Sequence, residues 1–198
     1  MKQGKLILLH TCCGPCATAS VERLLEDGWS VELFYSNSNI APEDEYDKRL
    51  KGVIKTADYF GIEWSADEYD HEAWLQAVRG LENEPERGER CAVCFGYSFG
   101  RAAEKAAGGD YDGFTTTLSI SPYKDSKLLY RKGAEAGGFI EYNFKKQNGY
   151  KRSIELSAAI GLYRQNYCGC EFSYAEMLER QRNKKHESEV NQGAGEDE

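Results

Sequence analysis

Short apolar segments alternate with longer segments of helical periodicity along most of this chain. The first apolar run spans residues 5–10, and others follow at 31–35, 62–64, 113–118 and 139–142. In the segments between them, apolar residues recur every three or four positions, as in helices that bury one face. Strands that alternate with helices form a parallel sheet covered by helices on both faces. The pattern therefore predicts an α/β fold with about five parallel strands.

The helical segments have recognisable ends. Pro42 is followed by three acidic residues, and both features favour a helix start, because proline suits the first turn and carboxylates suit the positive end of the helix dipole. Gly28 and Gly61 follow two of the segments, at the position where glycine commonly ends a helix. The predicted helices span residues 17–27, 42–60, 71–81, 91–107, 127–136, 153–162 and 174–182.

Length and composition predict one globular domain over residues 1–184. The chain has 198 residues, 40% of them hydrophobic and 12% aromatic, which suits one buried core and is cramped for two. Residues 185–198 hold five acids and one lysine and predict a disordered tail. No apolar run is long enough to span a membrane, and the run at residues 6–9 is too short for a signal peptide. A cytoplasmic protein without membrane contact is expected.

The seven cysteines fall into three groups at predicted junctions between loops and helices. They are Cys12, Cys13 and Cys16; Cys91 and Cys94; and Cys168 and Cys170. An odd count in a reducing compartment argues against structural disulfides. Amide donors at a helix start favour the thiolate, which is the form that binds metals. Two pairs from separate loops supply four sulfur ligands, which suit either zinc or an iron–sulfur cluster, and spacing leaves both open.

The segment Cys168-Gly169-Cys170 favours different chemistry. A disulfide across one intervening residue closes a small, strained ring, and strain makes such a bond easy to reduce. Gly169 supplies the backbone freedom that the ring needs. The spacing favours a redox-active pair, with further metal ligands or unreactive thiols as the alternatives.

Several motifs carry a family resemblance that extends from about residue 5 to residue 182. They lie at residues 10–16, 35–46, 90–94, 114–123, 145–150 and 163–173. In this combination the sequence resembles the epoxyqueuosine reductases of the QueH type. The resemblance implies an enzyme that reduces epoxyqueuosine at the wobble position of tRNA to queuosine, with the modified tRNA and an external electron donor as partners.

The resemblance also implies a fold and a set of cofactor residues. The fold is Rossmann-like, of the PP-loop or HUP-like type, although the loop after the first strand lacks the glycine-rich phosphate signature, which argues against ATP use. The implied cofactor is a [4Fe–4S] cluster at Cys12, Cys13, Cys91 and Cys94. Cys168 and Cys170 are implied to be a redox-active disulfide pair. Some members hold a second metal, and Cys16 is the candidate ligand here for such an iron or zinc.

Basic and aromatic residues intermingle between residues 142 and 152, where tRNA contacts are predicted. Cations bind phosphates and rings stack on splayed bases, although an ordinary solvated face is the alternative. The predicted contacts are Lys145, Lys146, Tyr150, Lys151 and Arg152, with Arg101, Lys124 and Lys127 as weaker candidates. The candidate proton donors are His10, Asp44 and Tyr123, each of which also has a purely structural explanation.

Two other classes of function compete with the reductase. One is a zinc- or thiol-dependent tRNA-modifying enzyme of the same PP-loop-like fold, with Cys12, Cys13 and Cys16 as nucleophiles. The other is a non-enzymatic metal-binding module. The missing phosphate loop argues against the first, and the cysteine pair near the C-terminus argues against the second.

Overall fold

The computed structural model describes residues 5–193, with side chains described from residue 5 to residue 184. Strands and helices alternate through the first two thirds of the chain, and the last third is helical. In chain order the elements are β1 (Leu6–His10), α1 (Gly14–Glu26), β2 (Ser30–Tyr35), α2 (Glu43–Phe60), β3 (Glu63–Ala66), α3 (His71–Ala77), α4 (Glu89–Ala107), β4 (Gly113–Thr116), a 3₁₀ turn (Thr117–Ile120), α5 (Ser126–Ala136), α6 (Gly149–Ile160) and α7 (Glu171–Gly193).

The strands form one parallel sheet in the order β3-β2-β1-β4, with β1 in the interior. Successive side chains of a strand point to opposite faces, and both faces are covered here. Ile7 and Leu9 pack in a core with residues of α1, α2 and α6. Leu8 packs in a second core with residues of α4 and α5. The predicted α/β fold, with a parallel sheet between two helical layers, is confirmed.

The strand predicted at residues 139–142 is wrong, so the described chain contains four strands rather than about five. Phe139 forms a single parallel bridge with Phe114. Two backbone hydrogen bonds surround it, from Phe114 N to Gly138 O at 2.9 Å and from Ile140 N to Phe114 O at 2.7 Å. Gly137 and Gly138, which have a positive φ, lead the chain into this bridge, and pairing with β4 ends after it.

Several helix ends also differ from the predicted ones. The helix predicted over residues 71–81 ends at Ala77, and that predicted from residue 153 begins at Gly149. The tail predicted from residue 185 is helical up to Gly193, and its residues 194–198 lie outside the described residues. Glutamate, lysine and glutamine have high helix propensity, so low apolar content does not by itself predict coil. Every helix in the described range is too short or too polar to cross a lipid bilayer.

Helices α1 and α2 cross at two glycines, and this crossing determines where α1 can begin. A Cβ atom on Gly14 would clash with the carbonyl oxygen of Gly52. Thr56 Oγ1 donates a hydrogen bond to Gly14 O at 3.4 Å across the same crossing. The close contact holds the first turn of α1, and with it the preceding cysteines, against the carboxyl edge of the sheet.

Candidate functional site

Cys12, Cys13 and Cys16 lie where β1 ends and α1 begins. Cys13 is the N-cap residue of α1, and Cys16 is in the first turn of that helix. The three Sγ atoms all lie within 4.8 Å of one another, and those of Cys12 and Cys13 are 3.8 Å apart. In parallel sheets, ligands bind beyond the carboxyl ends of the strands, where these thiols lie. The structure therefore brings adjacent cysteines together into a group that can hold a metal.

The charge within this group is concentrated on Cys13. Hydrogen bonds from the thiols of Cys12 and Cys16, together with Gln165 and the Arg49 guanidinium, lower the pKa of Cys13 well below its usual value. The hydrogen bond with Cys13 raises the pKa of Cys12, and hydrogen bonds with Cys12 and Cys13 raise the pKa of Cys16. Thiolates are the metal-binding form of cysteine, so Cys13 is prepared to bind a cation.

Cys91 and Cys94 lie at the start of α4 and line a small closed cavity with Cys168 and Cys170. The backbone amide of Arg87 donates to Cys91 Sγ at 3.2 Å. Burial raises the pKa of Cys91 and of Cys94. The second and third cysteine groups of the sequence are therefore neighbours in space.

Two unpaired donors belong to the wall of this cavity. Within the described side chains, Trp74 Nε1 and Arg90 Nε are buried and have no hydrogen-bond partner. A buried N–H group without an acceptor costs free energy, so such groups point to a missing partner. Sulfide ions and thiolates accept hydrogen bonds, and soft sulfur ligands such as Cys91 and Cys94 select zinc, Cu(I) or iron–sulfur clusters. The donor set therefore fits a metal centre with sulfur ligands, an iron–sulfur cluster among them.

The segment of Cys168 and Cys170 is held by side chains from distant parts of the sequence. Arg49 Nη1 donates to Cys168 O at 2.7 Å. Lys124 Nζ donates to Cys168 Sγ at 3.0 Å. Cys170 Sγ accepts a hydrogen bond from Ser173 N at 3.4 Å. All seven cysteines are free thiols.

The Lys124 ammonium is buried beside this segment. Burial by itself lowers the pKa of Lys124, but the Cys168 sulfur, Cys91 and the Glu86 carboxylate raise it above its usual range. The side chain is therefore a cation, and it faces both sulfur and carboxylate.

An open pocket of about 500 Å³ brings Cys12 and Cys16 together with Cys168. Cys168 and Glu86 line both this pocket and the closed cavity, so the two cavities adjoin. The wall of the pocket also contains aromatic, amide and basic side chains: Tyr123, Tyr150, Tyr167, Gln165, Asn166, Arg87, Arg164 and Arg180. Ligand pockets of this size combine flat apolar surfaces with a few polar groups that orient the ligand.

The predicted tRNA contacts are dispersed. Tyr150 lines the open pocket, whereas Lys146 and Lys151 are exposed outside its lining. Lys145 is half-buried and donates to Lys124 O at 2.6 Å. Arg152 donates two hydrogen bonds to the Glu22 carboxylate, at 2.6 and 2.8 Å. Tyr150 is thus the member of this set that lines the pocket.

Of the weaker candidates, Lys124 lines the open pocket, whereas Arg101 and Lys127 lie outside its lining. Arg101 forms hydrogen bonds to Asp67 at 2.6 and 2.7 Å, and Lys127 lies in a separate surface depression. Three arginines that line the pocket, Arg87, Arg164 and Arg180, were not predicted from the sequence. Arg164 lies in the motif at residues 163–173, so the sequence did contain a signal for it. Arg87 and Arg180 follow no local pattern that marks a site.

Of the three candidate proton donors, only Tyr123 lines the open pocket; it is 60% exposed. His10 is buried, within hydrogen-bond distance of Thr116 Oγ1 (2.9 Å) and Ser36 O (3.2 Å). Burial lowers the pKa of His10 to about 4, which leaves the ring neutral at neutral pH. Asp44 is exposed in the first turn of α2, outside the pocket lining.

Two solved structures share this fold at low sequence identity. A predicted subunit of tRNA methyltransferase from Methanocaldococcus jannaschii is similar with a TM-score of 0.53 and 14% identity, over 78% of this chain and 74% of that one. The U34-tRNA thiolase NcsA from Methanococcus maripaludis, solved with its [4Fe-4S] cluster, is similar with a TM-score of 0.51 and 11% identity, over 87% of this chain and 62% of that one. These similarities support the predicted α/β fold.

Sequence comparison identifies a protein family, whereas the structural comparison identifies only a fold. The family model described as "Epoxyqueuosine reductase QueH" matches residues 7–176. A relative described by the same name, from Haemophilus influenzae, is 38% identical over 84% of this chain and 71% of that protein. Another, from Streptococcus pyogenes, is 36% identical over 84% of this chain and 69% of that protein. The relative from Thermotoga maritima is 34% identical, over 88% of this chain and 93% of that protein. The chain belongs to the QueH family.

Proposed function

We propose that this protein reduces the epoxide of epoxyqueuosine, at the wobble position of tRNA, to the alkene of queuosine. The observation that carries the proposal is that cysteines from two distant segments, Cys12 and Cys16 with Cys168, line one open pocket of about 500 Å³. Cys168 also lines the adjoining cavity, which contains Cys91 and Cys94 from a third segment. Membership of the QueH family supports the same reaction.

The cofactor that we propose is a [4Fe–4S] cluster held by Cys12, Cys13, Cys91 and Cys94. Its support is the chemistry of the donors: Cys12 and Cys13 have sulfurs within 4.8 Å of each other, the pKa of Cys13 is lowered, and Trp74 and Arg90 present unpaired N–H groups in the cavity of Cys91 and Cys94. In the structure the sulfurs of Cys12 and Cys13 are grouped with that of Cys16, and Cys91 and Cys94 lie in the adjoining cavity. When bound through four cysteines, such a cluster would supply electrons, and Lewis-acid polarisation of an oxygen would require a further metal with an open position. Cys16, beside Cys12 and Cys13, would remain available for a second metal, iron or zinc.

The role that we propose for Cys168 and Cys170 follows from the balance of the reaction. Converting an epoxide to an alkene consumes two electrons and two protons and releases the oxygen as water. Two thiols that close to a disulfide release two electrons and two protons, so one oxidation of this pair balances one reduction. An external electron donor would then reopen the disulfide.

The pocket offers a suitable surface for a splayed nucleoside. Bases taken out of an RNA stack pack on aromatic rings, and their edges bind polar side chains. Tyr150 and Tyr167 supply rings, Gln165 and Asn166 supply amides, and Arg164 supplies a cation for a phosphate. Lys146 and Lys151, which are exposed, would contact the tRNA backbone farther from the reacting base.

A pair of serine variants tests the cluster and the reaction together. The wild-type protein, purified without oxygen, should contain about four iron and about four sulfide ions per chain and absorb at about 400 nm. Cys13→Ser should lose this absorption and all conversion of epoxyqueuosine-containing tRNA. Cys16→Ser is the matched control from the same turn and should keep the absorption. Metal analysis and nucleoside analysis of digested tRNA measure both outcomes.

Two results would contradict the proposal. A colourless wild-type protein that holds one zinc and no iron would favour the zinc- or thiol-dependent alternative. The second result concerns cells that lack both this protein and any second epoxyqueuosine reductase. If the queuosine content of their tRNA were unchanged, the proposed reaction itself would be contradicted.

A further inference from the structure

The two thiols near the C-terminus differ in what can reach them. Cys168 is half-buried and lines the open pocket, together with Cys12 and Cys16. Cys170 is only 7% exposed and lines the closed cavity but not the open pocket. A molecule that enters the pocket therefore meets the sulfur of Cys168 and not that of Cys170.

The two thiols also differ in the charge of their hydrogen-bond partners. Cys170 immediately precedes α7, and its Sγ lies against the backbone amide of Ser173 at 3.4 Å and the Ser173 hydroxyl at 3.5 Å, both neutral groups. Cys168 Sγ accepts its hydrogen bond from a cation, the Lys124 ammonium, at 3.0 Å. Cationic donors stabilise negative charge on sulfur more strongly than neutral donors do. Of the two sulfurs, only that of Cys168 therefore has a cationic hydrogen-bond donor among the described side chains.

Lys124 is held in place for this contact. Its side chain is buried over the ring of Phe95, 5.6 Å from the ring centroid, and its Nζ lies 3.5 Å from Glu86 Oε1. Its carbonyl oxygen accepts the hydrogen bond from Lys145. Both the ammonium and its backbone are therefore anchored, and the ammonium has little freedom to leave the sulfur.

We propose that Cys168 is the sulfur of this pair that exchanges with an external dithiol, that Cys170 is its buried partner, and that Lys124 is the positioning residue for Cys168. The proposal rests on the redox role proposed above for the pair. It adds an order of events, a class of reductant and a residue that sets the order.

The exchange balances as two displacements at sulfur. One thiolate of the external dithiol attacks Cys168 Sγ, the bond between Cys168 and Cys170 breaks, and Cys170 leaves and takes up a proton. The second thiol of the reductant, after losing its proton, attacks its own sulfur in the mixed disulfide, and Cys168 leaves as a thiolate beside Lys124. The pair gains two electrons, and the reductant loses two and becomes a disulfide.

The first experiment measures alkylation with iodoacetamide, using the anaerobically purified, cluster-containing protein and mapping labelled peptides by mass spectrometry. Cys168 should label faster than Cys170 by at least about tenfold, because only Cys168 lines the open pocket. Lys124→Met should slow labelling of Cys168 by about fivefold to tenfold, and Lys124→Arg should restore much of the rate.

A second lysine provides the matched control. Lys105 lies over the ring of Phe34 at 5.4 Å and pairs with Glu32 at 3.5 Å, as Lys124 does with Phe95 and Glu86, but it has no cysteine partner. Lys105→Met should leave the labelling of Cys168 unchanged. A thermal melt of each variant separates loss of folding from loss of the contact. Equal slowing by Lys105→Met and Lys124→Met would overturn the role of Lys124.

The second experiment traps the mixed disulfide. Cys170→Ser, incubated with a thiopyridine disulfide, should release thiopyridone and hold the adduct on Cys168. Cys168→Ser should react far more slowly at Cys170. Faster reaction at Cys170, or protection of Cys168 by the metal, would overturn the order of events. Both experiments are independent of epoxide reduction, so a protein that labels as expected but leaves epoxyqueuosine unchanged contradicts the proposed function alone.

Discussion

The cysteines at the end of β1 and those before α7 are positioned in different ways. Cys12, Cys13 and Cys16 lie on a strand end and a helix start, so regular backbone structure determines where their sulfurs lie. Cys168 and Cys170 lie outside the sheet, and side chains 119 and 44 residues away in sequence hold Cys168. The first group is therefore part of the sheet edge, whereas the second is attached to it by individual side-chain contacts.

We infer from this difference that the first group is held rigidly, whereas the second can adjust its position. A metal centre requires fixed ligand positions, and a strand end packed between two helical layers provides them. A thiol pair that opens and closes must change the separation of its sulfurs in every turnover. A segment held by a few side-chain contacts can make that change without disturbing the core. We therefore expect substitutions at the two places to have different consequences.

The largest effect on stability is expected from Arg49→Met. The guanidinium is 2% exposed, pairs with Glu45 at 2.8 Å and donates to Cys168 O at 2.7 Å. Removing it leaves a buried carboxylate without its main partner, which costs about 3–5 kcal/mol. The free energy of unfolding from urea titration should fall by that amount, and proteolysis should cut the segment around Cys168 sooner than the segment around Cys13.

A double variant distinguishes the two tasks of this arginine. Glu45→Leu combined with Arg49→Met removes both buried charges and should recover much of the lost stability. The segment of Cys168 would still lack its hydrogen bond and should remain sensitive to the protease. Recovery of protease resistance along with stability would mean that Arg49 does not hold this segment.

Glycine substitutions compare the two regions directly. A Cβ on Gly14 would clash with the backbone of Gly52, whereas a Cβ on Gly169 would lie 3.0 Å from Ile40 Cγ1 and 3.1 Å from Arg49 Nη1, both side-chain atoms. Gly169 also has a φ of 143°, which other residues rarely adopt. Gly14→Ala should destabilise by about 3 kcal/mol, because backbone cannot move aside, and Gly169→Ala by about 1–2 kcal/mol.

The control for these two variants is a glycine with open space around it. Gly100 lies within α4 and is exposed, and an added Cβ there would meet nothing within 4 Å. Gly100→Ala should stabilise the protein by about 0.5–1 kcal/mol through helix propensity. Thermal and urea unfolding measure all three. A greater loss for Gly169→Ala than for Gly14→Ala would reverse the comparison.

The same comparison explains what the sequence could predict. Short apolar runs and helical periodicity encode strands and helices locally, so the parallel sheet and the location of Cys12 at its carboxyl edge could both be predicted. The contacts from Lys124 and Arg49 to Cys168 join residues far apart in the chain, and no periodicity marks them. The strand predicted at residues 139–142 failed for a related reason, since pairing depends on the path of the chain after Gly138 as well as on apolar content.

The smallest expected loss of stability concerns the behaviour of the sheet edge in acid. Asp67 follows β3, and although burial raises its pKa, hydrogen bonds from Arg101 and Ser36 hold that pKa below its usual range. A carboxyl group with a depressed pKa stabilises the fold above its unfolded pKa of about 3.9, and this contribution is lost as the pH falls through the folded value. Since Arg101 is partly exposed, solvent screening limits the contribution to about 1 kcal/mol. Asp67→Asn should therefore lower the free energy of unfolding at neutral pH by that amount and flatten its decline between about pH 5 and pH 3. An equally steep decline in the variant would show that other carboxylates cause the acid sensitivity. The stability of the sheet edge, where the cysteines lie, would then depend on backbone packing rather than on this ion pair.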